Sequence, residues 1–246
     1  MRQINALVLN PARLSVRFPY LVETENKSMS SDKVKPTIRV WDPFIRFGHW
    51  AIVLAFAISY VTAEDEGDNV SALHVWGGYV IGAILAIRII WGFAGPRYAR
   101  FADFIYNPIT VVRYLVCLIR GNAKRYIGHS PAGGVMVIAL MLSLLGTIGT
   151  GLVVYGAEGK GPLAQSPIVL IQRAYANGDT EYARPGQRGT VVGENGNEEL
   201  FENLHNFLAN LTLTLIGLHV LGVGAASVVH RENLVQSMLT GRKRLE

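Results

Sequence analysis

Cysteine is nearly absent from this 246-residue chain: Cys117 is the only one. A single thiol excludes an intrachain disulfide, a four-cysteine iron–sulfur centre and the Cys-x-x-Cys-His run that attaches haem covalently. Charge is scarce too. Only 17% of residues are Asp, Glu, Lys or Arg, half are hydrophobic, and the mean hydropathy is +0.27, where soluble domains carry about a quarter of charged residues. The first 28 residues lack the compact apolar core and small-residue cleavage site of a signal peptide, because Pro11, Arg13, Arg17 and Pro19 break their apolar pieces. Residues 1–37 are therefore expected to form a poorly ordered cytoplasmic tail, in preference to an interfacial anchor, and a start at Met29 would lose nothing that the rest needs.

What the chain does have is long apolar runs. Four are long enough to span a bilayer: roughly Phe44 to Ala63, Ala72 to Phe93, Ala132 to Tyr155, and Leu204 to Val229. Arg46 interrupts the start of the first, which reaches full length only if Trp41 to Gly48 forms an interfacial lead-in turn. The connector after the second run holds Arg97, Arg100, Arg113, Arg120, Lys124 and Arg125 against one acid, Asp103, and the chain ends in Arg242, Lys243 and Arg244. Glu64, Asp65, Glu66 and Asp68 crowd the first connector, and acids outnumber bases in the third. Basic connectors stay in the cytoplasm, so an all-α, N-in and C-in bundle of four transmembrane helices is expected over residues 38–246. This sorting accounts for the net charge of +5 without a nucleic-acid partner, and the bases could equally attract anionic lipid. Ile109 to Ile119 is expected to lie along the surface as a short helix, with Cys117 as filler.

Histidine is the residue that carries chemistry. His205 and His219 stand 14 residues apart in the fourth run, which brings them within ~40° of one helix face and separates them by ~21 Å along the axis. Ionisable side chains inside a membrane helix are rare and face a cofactor, a cavity or a partner. Two stacked imidazoles suit two haems, one toward each membrane face, and His49 and His74 are the buried candidates for the second ligand of each iron. Depth pairs His49 with His219 near the cytoplasmic side and His74 with His205 near the outside. Two histidines on each iron leave no open coordination position, as befits low-spin electron carriers. Without a covalent attachment motif both haems must be b-type.

Other residues take their roles from these. Arg46 lies three residues before His49, and Arg88, 14 residues after His74, falls at the depth of the cytoplasmic haem, so either could pair with an anionic propionate. His129, in a Gly-His-Ser-Pro-Ala-Gly-Gly turn, and His230, beside Arg231 and Glu232, read as solvated interface histidines, with a quinone or proton-transfer role as the competing reading. The third run has no histidine and is expected to be a packing wall. Gly146, Gly149, Gly151, Gly78 and Gly82 permit close approach of a helix or a porphyrin.

Several segments together resemble a known family. Arg39-Val40-Trp41-Asp42-Pro43 running to His49-Trp50, His74 with Gly77-Gly78-Tyr79, Arg88-Ile89-Ile90-Trp91-Gly92-Phe93 and Ala99-Arg100-Phe101 are similar to segments of the bacterial cytochrome b561 and nickel–iron hydrogenase b-type cytochrome family. So are the Gly128 to Gly134 turn, Leu204-His205, Leu218-His219-Val220 and His230-Arg231-Glu232-Asn233-Leu234. The resemblance covers about Ile38 to Arg244. It implies a bacterial inner-membrane cytochrome with two haem b groups, moving electrons between ubiquinone or menaquinone and a redox partner, with His49, His74, His205 and His219 as axial ligands. The external connector of about 45 residues departs from it: Gln172 to Asn197 match no family motif, and a loop of this length is either a docking element or a mobile insertion.

The expected partners are the bilayer, a quinone and a periplasmic c-type cytochrome, hydrogenase or other dehydrogenase. An electron-transfer subunit is favoured over a self-contained quinol oxidase, which would turn over without a partner protein. A haem-free transporter using the same histidines fits less well, since transporters more often show internal repeats and broken helices. With no thioether attachment possible, all bound haem is expected to leave the protein in acidified acetone; haem left on the polypeptide would contradict this.

Overall fold

The computed structural model describes residues 36–63, 71–166 and 196–245. Residues 1–35, the acids Glu64 to Asp68 and most of the Gln172 to Asn197 stretch lie outside the described residues. The four expected spans are four long helices: α1 (Pro43–Val61), α2 (Ala72–Ala94), α4 (Pro131–Ala157) and α5 (Gly196–Val229), with the short α3 (Pro108–Ile119) between the middle two. A last short helix, α6 (Leu234–Thr240), follows α5. All four long helices are long and apolar enough to cross a membrane.

Capping explains most of the boundaries. Asp42, Asn107, Ser130 and Asn233 each accept a backbone N–H of the following turn, and the first three are followed by proline at the first helical position, where its missing N–H costs nothing. The expected lead-in turn at Trp41 to Gly48 is therefore the start of α1 itself, fixed by Asp42 and Pro43. α5 begins some two turns before the apolar run at Leu204. Hydropathy reads only the lipid-facing length, whereas backbone hydrogen bonding continues through helix-forming residues such as Glu199 and Leu200.

α1 packs chiefly on α2 and α4 on α5. Ala55, Phe56, Ile81, Leu85 and Leu144 form the buried centre where the two pairs meet, with Ile52, Met141, Ile148 and Ile216 around it. Beside it, the Ser143 and Thr212 hydroxyls bond to each other, and Thr212 also donates to the Leu208 carbonyl (2.8 Å), so no polar group there is left unsatisfied in an apolar medium. The outer faces carry exposed Leu, Ile, Val and Phe, among them Leu54, Ile90, Phe93, Leu142 and Leu221. α3 buries Val111 and Tyr114 and exposes Ile109, Val112 and Ile119, as a helix lying along a membrane surface would.

Both ends of the described chain meet at one end of the bundle. β1 (Thr37–Arg39) and β2 (Arg242–Arg244) pair antiparallel, Ile38 opposite Lys243. This clasp is tied to the α3–α4 connector: Arg125 donates to both Glu232 carboxylate oxygens (3.1 and 3.2 Å) and to the Arg244 carbonyl, and Lys243 Nζ donates to the Tyr126 carbonyl (3.4 Å). Burial alone would raise the Glu232 carboxyl, but hydrogen bonds from Arg125 and the charges of Lys243 and Arg125 hold it below its ordinary value. A depressed folded-state value means that the ionised carboxylate stabilises the fold above the ordinary carboxylate range, and that this contribution disappears as pH falls through the lower folded value.

Removing one partner of a buried pair strands the other, at a cost of roughly 3–5 kcal/mol, and the Glu232 and Arg125 side chains are only 6% and 17% exposed. Glu232→Ala is accordingly expected to destabilise the protein by about 3 kcal/mol at neutral pH, with the deficit shrinking as pH falls from the ordinary carboxylate range through the lower folded value. Thermal unfolding of the detergent-solubilised protein followed by circular dichroism checks both; an unaltered melting profile at neutral pH would show that the clasp does not depend on the pair.

Candidate functional site

Four histidines face each other in two storeys. At the clasp end, His49 of α1 and His219 of α5 have ring centres 6.4 Å apart. At the far end, His74 of α2 and His205 of α5 are 5.9 Å apart. The pairing expected from depth is thus the pairing found. A metal ion bonded on both sides by imidazole nitrogens at about 2 Å holds the two ring centres about 6 Å apart, so both spacings suit one ion between two rings.

Hydrogen bonds settle which nitrogen of the far pair is free. His74 Nδ1 lies 2.8 Å from the Ser59 carbonyl, and His205 Nδ1 lies 2.9 Å from the Thr147 carbonyl. A carbonyl oxygen can only accept, so each Nδ1 carries the proton and each Nε2 keeps its lone pair for a ligand. The Ser59 carbonyl is available because it belongs to the last turn of α1, whose carbonyls have no helical partner. Ser59 Oγ returns a bond to the His74 carbonyl (3.3 Å). That close crossing of α1 and α2 needs Gly77, where a Cβ would sit 2.0 Å from Ser59 Oγ.

α4 is consequently more than the packing wall expected of it. It supplies the Thr147 carbonyl, and Thr150 Oγ1 lies 3.3 Å from His205 Nδ1. Gly151 makes room for the ring, since a Cβ there would come within 2.9 Å of His205 Cε1. Gly146 also serves close approach, toward Leu208, and Gly82 meets Ile148 at ordinary contact distance. Gly78 and Gly149 do not: neither would bring a Cβ within 4 Å of a neighbour. Gly78 stands one turn after His74 and leaves open space beside that ring.

The clasp-end storey is built differently. His49 Nδ1 is buried with no hydrogen-bond partner, and so are Arg46 Nε, Arg88 Nη1 and His129 Nδ1. Arg46 is anchored by an Nη2 bond to the Leu239 carbonyl. The Arg88 guanidinium lies over Phe101 at 5.2 Å and faces Phe104 at 6.0 Å. Phe101 reaches it over Gly92, where a Cβ would collide with the ring at 2.1 Å. His129 is not the solvated residue expected from its polar turn. Its ring stands between Trp41 (4.7 Å) and Phe104 (4.6 Å), and burial, then the charges of Arg88, Lys243 and His219, push its pKa down to about 3. His230, also expected in solvent, is half-buried and shares a hydrogen bond with Tyr114 Oη (3.3 Å).

The donor set decides what could be held. Among the described residues no three His, Cys, Asp or Glu side chains converge to form a metal site; each storey offers two imidazoles and nothing more. Two axial nitrogens suit an iron whose other four ligands come with it, as in a porphyrin. Unpartnered cationic nitrogens beside one storey suit the carboxylates that haem carries.

Comparison with known proteins places the chain in a family. The family model of prokaryotic cytochrome b561 matches residues 40–241. The chain belongs to that family. A probable Ni/Fe-hydrogenase B-type cytochrome subunit of Rhodobacter capsulatus is 22% identical over 268 positions, covering 98% of this chain and 94% of the relative. A second protein of the same description, from Bradyrhizobium diazoefficiens, is 26% identical over 154 positions, covering 52% of this chain and 61% of its own. No solved structure matches significantly. Family membership makes this a membrane cytochrome of the b type, with an electron-transfer function.

Because Gly151 makes room for His205, Gly151→Ala is expected to displace that ring and lower the haem-to-protein ratio. Gly224→Ala is the control: Gly224 is exposed, has no neighbour within 4 Å and points ~140° away from His219. A pyridine haemochrome assay on both purified variants tests the contrast, and equal ratios would show that the Gly151 contact does not position His205.

Proposed function

We propose that this cytochrome carries electrons across the bacterial inner membrane through two bis-histidine b haems, between the quinone pool and a periplasmic redox partner. The observation that carries the reading is the pair of facing histidine couples, His49 with His219 and His74 with His205, stacked on one helix of a four-helix bundle. Iron held in each couple would supply one-electron transfer without an open coordination position. The chain's part is to fix and insulate. The Ser59 and Thr147 carbonyls orient the far-end imidazoles, and such bonds to the outer ring nitrogen raise ligand basicity and tune the iron. Ile81, Leu85 and Leu144 keep water out of the middle of the bundle. At the clasp end Arg46 and Arg88 hold buried nitrogens ready for propionate oxygens.

The basic clasp and the α2–α4 connector favour a cytoplasmic clasp end, which puts the His74–His205 storey toward the periplasm. A [NiFe] hydrogenase is the first candidate for the periplasmic partner, since both relatives named above are described as hydrogenase cytochrome subunits. A c-type cytochrome or another dehydrogenase presents the same electron-transfer chemistry.

Haem quantification and a reduced-minus-oxidised spectrum test the reading directly: two haems per chain with bis-histidine, low-spin signatures. One haem, or a high-spin ferric signal in intact protein, would defeat the two-storey assignment. The substitutions carry it further. His49→Ala and His219→Ala should each remove the same haem, and combining them should remove no more. His74→Ala and His205→Ala should form the other equivalent pair, because ~21 Å of helix separates the storeys and distant sites act nearly independently. Redox titration of each variant identifies which haem remains; if His49→Ala and His205→Ala proved to share a haem, the pairing would be wrong.

A further inference from the structure

At the clasp end two half-buried guanidiniums, those of Arg46 and Arg88, each keep a buried nitrogen without a partner. Arg88 and Lys243 approach a small aromatic frame of Trp41, Phe101 and Phe104, His129 is held inside that frame, and Arg46 stands beside Gly241 with its Nη2 on the Leu239 carbonyl. The acids nearby make no ion pair with these guanidiniums. Asp42 accepts the Ile45 amide (3.1 Å) and the Trp91 indole N–H (3.2 Å) and acts on Arg88 only from beyond ion-pair distance, and Glu232 is bound by Arg125. None of the ion pairs among the described residues involves Arg46 or Arg88. A buried polar atom without a partner costs about 1–3 kcal/mol; Arg88 Nη1 and His129 Nδ1, whose side chains are electrostatic neighbours, are two such atoms, and Arg46 Nε is a third.

His129 is held without help from its own ring nitrogens. Its backbone carbonyl accepts from Tyr106 Oη (3.1 Å), Ser130 caps α4 immediately after it, and two aromatic rings fix its imidazole. The ring is therefore oriented in advance of any hydrogen bond it makes, as a binding group is. Its very low pKa keeps it neutral at physiological pH, so one ring nitrogen carries a proton to donate.

We propose that His129 is a binding residue for a haem carboxylate: it donates a hydrogen bond to a propionate of the clasp-end haem, completing a cradle whose charged members are Arg46 and Arg88. This rests on the two-haem reading above and adds to it a residue from the α3–α4 connector, outside the four spans. The ligand is anionic because two guanidiniums with no acid within ion-pair distance among the described residues call for negative charge, which the neutral carbonyl of a quinone would not supply. The connector then senses the haem through a bond rather than by proximity.

The test is a spectroelectrochemical titration of full-length protein bearing His129→Leu or His129→Gln, with the clasp-end haem identified as the one lost in His49→Ala. Leucine removes the donor, so the propionate's negative field is less offset and the midpoint of that haem should shift downward while the other stays in place. Glutamine keeps an N–H and should restore most of the shift. Both haems should be retained. Unshifted midpoints in His129→Leu, or a change confined to the KM for a soluble quinol analogue, would overturn the proposal, the second outcome giving His129 to a quinone. If the leucine variant does not accumulate, resonance Raman spectra of His129→Gln decide: the propionate bending band should move when an amide replaces the imidazole, and an unmoved band overturns the assignment. Wild-type protein lacking a haem at His49 and His219 would sink the two-haem reading instead, so the two failures are distinguishable.

Discussion

An imidazole in hydrocarbon has two nitrogens to satisfy, and the far storey is organised around the one that does not face a ligand. The His74 Nδ1 proton goes to the Ser59 carbonyl, and the His205 Nδ1 proton to the Thr147 carbonyl. Each bond joins two helices, α1 to α2 and α4 to α5, the same pairs that pack most closely. Gly77 and Gly151 are needed because those bonds demand short approaches. The tautomer, the ring orientation and the free lone pair at Nε2 all follow from a backbone carbonyl being an acceptor and nothing else. A buried histidine without such a bond would be expensive, and so the ligand geometry and the packing are one arrangement.

The two storeys solve the same problem by different means. The far one uses neutral backbone acceptors behind its imidazoles. The clasp-end one has a buried, unpartnered His49 Nδ1 and a set of cations in an aromatic frame. Fixed positive charge stabilises the reduced state of a nearby iron, and hydrogen bonds to carbonyls stabilise the oxidised one. Two haems seated in these surroundings would differ in potential, with the clasp-end haem the better electron acceptor. An ordered pair of potentials favours flow in one sense through a bundle whose halves otherwise look alike.

Arg125 links this chemistry to the ends of the chain. Its guanidinium binds Glu232 just beyond α5 and the Arg244 carbonyl in β2, while Lys243 beside it reaches Tyr126 in the connector that leads to His129. The Glu232 carboxylate therefore serves as more than a surface charge. It offsets the charges of Arg125 and Lys243 and makes no ion pair with Arg46 or Arg88.

Read without coordinates, the sequence determined the spans, the four histidines and their pairing, because hydrophobic length, helical period and depth in a membrane are one-dimensional properties that antiparallel helices turn into neighbours. It also marked Arg46 and Arg88, through their spacing from His49 and His74. Only tertiary structure decided what stands behind the ligands. Ser59 and Thr147 act through carbonyls that every residue possesses, so no side-chain pattern announces them. His129 was misjudged for a related reason: its neighbours in sequence are glycine, serine and proline, which suggest water, while its neighbours in space, Trp41 and Phe104, come from segments dozens of residues away. Gly78 and Gly149 looked like Gly77 and Gly151 in sequence and differ only in whether another helix happens to lie opposite. The clasp of β1 and β2 was hidden too, since three-residue strands carry almost no periodic signal and exist here because an even number of crossings returns the chain to the end where it began.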